Sequence, residues 1–98
     1  MSKQPGADAP VVEERLEITN ELGMHARAAT RFVQTANRFK SQITVEKDGQ
    51  MVNGKSIMGV LMLVAAKGTF INVRAAGEDA AGAIEAIGKL VRDKFGEE

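Results

Sequence analysis

The chain has no cysteine, no tryptophan and no tyrosine, and its 98 residues include a single histidine, His25. Without cysteine there is no disulfide and no thiolate chemistry, and a reducing compartment suits the chain. One histidine and no cysteine argue against zinc, so neither a metal site nor a cofactor is expected. The aromatic residues are four phenylalanines at positions that read as core, which makes base stacking and a nucleic-acid partner poor expectations. No apolar run approaches the roughly 20 residues that span a bilayer. The opening stretch lacks the apolar centre of a signal peptide. A cytoplasmic protein with no membrane insertion is the expectation. Both prolines, Pro5 and Pro10, fall in the first ten residues. Residues 1–10 read as a disordered N-terminal tail, and 11–98 as one domain with a modest core.

Net charge is zero, with 13 basic and 13 acidic residues, but the charges are segregated. From Leu22 to Val45 the chain carries Arg27, Arg31, Arg38 and Lys40 and no acid; from Gly49 to Gly77 it carries Lys55, Lys67 and Arg74 and no acid. A basic middle in a neutral protein suits an acidic protein surface or a phosphorylated group, through electrostatic steering.

Hydrophobic periodicity predicts the elements. Polar and apolar residues alternate over Glu13–Thr19, the period of a half-buried strand. Ala29, Phe32, Val33, Ala36 and Phe39 recur at helical spacing and predict a helix over about Ala26–Phe39. Alternation returns over Ser41–Lys47, and Asp48-Gly49 signals a hairpin into a short strand, Gln50–Asn53. Ser56 is a good N-cap for a second helix over Ile57–Val64. A fourth strand has Thr69, Ile71, Val73 and Ala75 inward. Gly77-Glu78-Asp79 then leads into a helix whose stripe is Ala80, Ala83, Ile84, Ile87, Val91 and Phe95. The order β-α-β-β-α-β-α is satisfied economically by an α+β fold with helices on one face of an antiparallel sheet.

The stretch Asn20-Glu21-Leu22-Gly23-Met24-His25-Ala26-Arg27-Ala28-Ala29 separates the first strand from the first helix. It places His25 at or beside the helix N-cap, where backbone N–H groups lack intrahelical partners and the helix dipole is positive. Arg27, two residues on, offers a guanidinium fork for phosphate oxygens. From local spacing alone, a surface histidine capping a helix is the plainer reading. These ten residues, however, resemble the active-site motif of the HPr phosphocarrier family, N-x-x-G-L/M-H-A/S/T-R-P-A. Gly54-Lys55-Ser56-Ile57-Met58-Gly59-Val60-Leu61 resembles the regulatory-serine segment of the same family, at the family's usual separation. The likeness runs from about Glu13 to Phe95. It departs at Ala28, where the family has proline.

The resemblance implies an HPr-like open-faced sandwich, a four-stranded antiparallel sheet covered on one face by three helices. It implies a carrier with a phosphohistidine intermediate rather than a free-standing enzyme. His25 would take a phosphoryl group from Enzyme I, itself charged by phosphoenolpyruvate, and pass it to an IIA-type acceptor. Arg27 and the N–H groups of Ala26 and Arg27 would hold the phosphoryl oxygens. Ser56 would be a regulatory phosphorylation site for an HPr kinase/phosphorylase. Met24, Ala28, Arg31, Ile57, Met58, Gly59, Leu61 and Met62 would form the partner-binding face of a monomer. The other reading is a regulatory binding module controlled at Ser56, with carrier activity secondary. Gly23-Met24-His25, Leu61-Met62-Leu63 and Ala66-Lys67-Gly68 resemble nitrogen-branch carriers, whereas Lys55–Val60 resembles sugar-uptake carriers under kinase control.

Two other patterns are weighed and set aside. Gly49–Ser56 matches the Walker A pattern G-x-x-x-x-G-K-S, but a strand is expected inside it and no magnesium-holding aspartate follows an apolar strand. The pairs Glu13-Glu14 and Glu97-Glu98 read as solvated ends.

Overall fold

The structure is a computed structural model and describes residues 9–97. The tail expected over residues 1–10 therefore lies, except for Ala9 and Pro10, outside the described residues. The elements are β1 (Val11–Glu17), α1 (Ala26–Ala36), β2 (Gln42–Lys47), β3 (Gln50–Asn53), α2 (Ile57–Met62), β4 (Phe70–Ala76) and α3 (Ala80–Arg92), followed by a 3-10 turn, Lys94–Gly96. This is the element order that the periodicity predicts. The strands form one antiparallel sheet in the order β1-β4-β2-β3. Its inner face is built by Leu16, Ile43, Val45, Ile71, Val73 and Ala75, all buried.

Both long helices bury the stripe their spacing predicts. In α1 Ala29, Phe32, Val33 and Ala36 are buried as the spacing predicts, joined by Ala28, while Phe39 lies past the helix end and is half-buried; in α3 Ala80, Ala83, Ile84, Ile87 and Val91 are buried, joined by Gly88, and Phe95 is buried in the 3-10 turn beyond the helix. Phe32 and Phe95 are completely buried, each contributing on the order of 1.5–3 kcal/mol through the area removed from water.

Several boundaries differ from expectation, each for a local reason. β1 starts two residues earlier because its register against β4 runs from Val11 opposite Ala76 to Glu17 opposite Phe70. α1 stops at Ala36: the Asn37 side chain donates to the Val33 carbonyl at 3.1 Å, and Arg38 and Phe39 bond back three residues in a tighter turn. Thr69 is not a strand residue; its hydroxyl donates to the Ala66 carbonyl at 2.6 Å and closes a turn. α2 ends at Met62, and Val64 takes a left-handed conformation, φ 49°. The inward residues of this segment are Val60 and Leu63, with Leu61 half-buried, while Ile57 and Val64 are exposed. Phe70, expected in the core, lies on the open face of the sheet, with the Arg15 guanidinium 4.1 Å from its ring centre.

The Walker-like stretch is interrupted as its sequence suggests. Asp48 and Gly49 turn the hairpin with φ of 52° and 87°, and β3 occupies the following four residues. Lys55 Nζ donates to the Phe39 carbonyl at 2.7 Å. No phosphate loop exists there.

Candidate functional site

His25 is the N-cap of α1, with extended backbone and a half-buried side chain. The turn before it is closed by two backbone bonds, Gly23 N–H to the Asn20 carbonyl at 3.1 Å and His25 N–H to the Gly23 carbonyl at 2.9 Å. Gly23 has φ of 66°, and a Cβ there would lie 2.6 Å from the Ala65 carbonyl oxygen. Met24 N–H donates to that same oxygen at 2.8 Å. The loop that presents the histidine is thus pinned against the chain leaving α2.

The ring's two nitrogens have different partners. Nδ1 accepts from the Arg27 backbone N–H at 3.3 Å, so it carries a lone pair and not a proton. Nε2 then carries the proton and donates to Glu97 Oε2 at 2.5 Å. The N–H groups of Ala26 and Ala28 belong to the same first turn, where the helix supplies no acceptor. Glu21, Leu22, His25, Ala26, Arg27 and Glu97 line an open hollow of about 510 Å³. Arg27 is exposed at its rim.

Glu97 is held firmly. Asn20, wholly buried, donates its amide to Glu97 Oε1 at 3.0 Å and to the Gly23 carbonyl at 2.7 Å. Arg31 Nη1 donates to the Phe95 carbonyl. The Asn20 amide first, and then the His25 ring and the Arg31 charge, hold the Glu97 carboxyl below the ordinary carboxylate range against the opposing effect of burial.

The sequence-predicted residues separate into groups. His25, Ala26 and Arg27 line the same hollow, with the Arg27 N–H on the ring. Met24 and Ala28, expected on the partner-binding face, are buried, at 5% and 0% exposure: the turn at Gly23 drives Met24 inward, and Ala28 lies on the core stripe of α1. Arg31 is half-buried and engaged with Phe95. Ile57, Met58 and Met62 are exposed, Gly59 and Leu61 less so; Leu22 and Val64 are two further exposed apolar residues, although helical spacing would turn Val64, like Ile57, toward the core. Ser56 caps α2, its Oγ accepting from Gly59 N–H at 3.0 Å.

Two site residues escape the sequence reading. Glu97 reads as a solvated end and Asn20 as part of a motif without a task. The available signal is Phe95: two residues beyond a buried phenylalanine, Glu97 cannot be more than about 7 Å of chain from the core.

A four-stranded antiparallel sheet under three helices, with a lone imidazole heading the first of them, defines a class of small α+β proteins with a histidine presented at a helix N-terminus. A family model described as "PTS HPr component phosphorylation site" matches residues 12–93. The chain belongs to the HPr family of phosphocarrier proteins. It is 49% identical over 87 residues to the phosphocarrier protein HPr of Neisseria meningitidis serogroup A, covering 89% of this chain and 98% of that one. The crystal structure of HPr-C-His from Thermoanaerobacter tengcongensis superposes with a TM-score of 0.86 at 49% identity, covering 89% of this chain and 98% of that chain. A crystal structure of Crh, the Bacillus subtilis catabolite repression protein, described as a dimer with a swapped domain, matches with a TM-score of 0.69 at 42% identity over 85% and 95% of the two chains.

Proposed function

We propose that the chain is a phosphocarrier of the phosphoenolpyruvate-dependent phosphotransferase system, taking a phosphoryl group from Enzyme I on His25 and yielding it to an IIA-type acceptor. The observation that carries this reading is the hydrogen bond that His25 Nδ1 accepts from the Arg27 N–H in the first turn of α1. The nitrogen that attacks is thus already where the helix favours the incoming negative charge. Arg27 and the Ala26 and Arg27 N–H groups hold the phosphoryl oxygens. Ala28 replaces the family's proline and adds one more N–H to the first turn. Among the described residues no helix is long and apolar enough to cross a membrane. In this reading the carrier works in the cytoplasm as a monomer.

Incubation with Enzyme I and phosphoenolpyruvate, read by intact mass, tests this. One acid-labile, base-stable phosphoryl group is expected on the wild-type protein and none on His25→Ala. Label that persists on His25→Ala overturns the reading.

A second reading, regulation through Ser56 by a kinase/phosphorylase, is favoured by one feature. Ser56 opens the short helix that exposes Met58 at 71% and Met62 at 62%, a soft apolar surface suited to docking. Crh, similar in structure, is a catabolite repression protein.

A further inference from the structure

We propose that Glu97 is a positioning residue for phosphoryl transfer: its carboxylate keeps the proton on His25 Nε2, leaving Nδ1 nucleophilic and compensating the ring once Nδ1 is phosphorylated. The inference rests on the carrier reading above and adds a control on the chemistry of its histidine.

The contact is built. Lys94, Phe95 and Gly96 all have left-handed φ, 57°, 57° and 78°, a run that side-chain-bearing residues adopt only at a cost. What holds the run is the complete burial of Phe95 and the bond from Arg31 to the Phe95 carbonyl. Together they turn the chain back so that Glu97 meets the ring, and Asn20 fixes the second carboxylate oxygen. The other charged groups about the hollow are Glu21, which is paired with Lys67 at 2.5 Å and also feels Lys94, and Arg27 and Arg31 of α1. Among the described residues, Glu97 is the carboxylate bonded to the imidazole.

The transfer balances without moving a proton. The Nδ1 lone pair forms the new phosphorus–nitrogen bond as the donor's breaks, and the donor nitrogen keeps that bond's electron pair. Nε2 retains its proton throughout, so the phosphorylated ring is cationic and faces the Glu97 anion. On transfer to the acceptor, the electron pair returns to Nδ1 and a neutral ring leaves. If the Nε2 proton is instead lost to solvent, the departing group is an imidazolate, a much poorer leaving group. A carboxylate on Nε2 therefore promotes delivery at neutral pH.

The test uses Glu97→Gln, which keeps a hydrogen-bond acceptor without charge, and Glu97→Ala, which removes both. In the unphosphorylated protein, nitrogen NMR should show the Nε2–H tautomer alone in wild type and a mixture in Glu97→Ala. Delivery from phosphorylated Glu97→Gln to an IIA-type acceptor should be slower at neutral pH by about tenfold, the scale of a lost charge-assisted hydrogen bond, and should recover as pH is lowered. A wild-type tautomer in Glu97→Ala, or slowing that is uniform across pH, overturns the proposal. Failure to label the wild-type protein overturns the carrier reading and the delivery step with it; the two failures are told apart because the tautomer comparison needs no phosphate.

Discussion

The Asp79 carboxylate bonds to Ser41 instead of capping its own helix. Oδ1 accepts from both the Ser41 N–H, at 2.9 Å, and the Ser41 hydroxyl, at 2.5 Å, while Oδ2 accepts from the Lys40 N–H at 2.8 Å. Ser41 is buried, and a Cβ on Gly77 would collide with it. The start of α3 is thereby tied to the start of β2. The Ser41 hydroxyl and the Lys40 N–H, with the Ser41 N–H, hold the Asp79 carboxyl below its ordinary value. A carboxyl whose folded value is depressed adds stability above the unfolded value, about pH 4, and that stability is lost as pH falls through the folded value. Asp79→Asn should lower the melting temperature at neutral pH and flatten its decline in acid. A thermal-unfolding series from pH 7 to pH 3 measures both; parallel curves for the two proteins would show the contact is neutral.

Arg27→Ala should leave the fold intact, since the side chain is exposed, while slowing phosphorylation of His25. The charge-assisted contacts removed are worth roughly 1.5–3 kcal/mol, or about tenfold and upward in rate. Rapid-quench kinetics with Enzyme I measure it, and a wild-type rate would make the arginine incidental.

The Walker-like stretch should bind no nucleotide. Its lysine is spent on the Phe39 carbonyl and its interior is strand β3. Titration calorimetry with ATP and magnesium should show no saturable heat. Saturable binding abolished by Lys55→Ala would reverse this.

Ser56→Ala should cost roughly 0.5–2 kcal/mol of stability by removing the cap on Gly59 N–H, with His25 still phosphorylated. Ser56→Asp keeps an acceptor at the helix start and adds negative charge, so stability should hold or rise slightly. Phosphorylation by Enzyme I should nonetheless weaken, because an acidic partner drawn to the basic middle of the chain meets a like charge. Equal rates for wild type and Ser56→Asp at every Enzyme I concentration would reduce Ser56 to a cap.

Val64→Gly should stabilise the protein. Valine at φ 49° bears a left-handed penalty of roughly 1–2 kcal/mol, and at 76% exposure its side chain returns little burial. Part of the gain is offset by the greater freedom of glycine in the unfolded chain. Chemical denaturation of the two proteins gives the sign.

Most of the fold is legible because its signals are local. Alternation marks β2 and β4, Asp48-Gly49 marks the hairpin, and the stripes of α1 and α3 are those the structure buries. His25 at the N-cap is local too: a turn residue precedes it and helical spacing follows. What is not legible is long-range or directional. Glu97 meets His25 across 72 residues, and Asp79 meets Ser41 across 38. No periodicity carries such pairings. Met24 and Ala28 are expected on the partner-binding face because the resemblance implies that the start of the first helix, where they flank His25 and Arg27, belongs to it. Flanking says nothing about which way a side chain points, and both point inward. Val64 ends α2 in a conformation that valine disfavours, so propensity extends the helix past its true end.

Gly23 and Ala65 bear on how a partner finds the histidine. The loop before His25 rests on the chain leaving α2, so the placing of the imidazole relative to Met58 and Met62 depends on that contact. On the carrier reading, a protein that seated on those methionines would in the same act be aimed at the ring, with no second search before chemistry. The close backbone approach converts encounter into alignment, which is where much of the advantage of an intramolecular reaction resides. A side chain at position 23 would wedge the two segments apart and detach aim from contact, leaving a protein that still docks but presents its histidine in the wrong place.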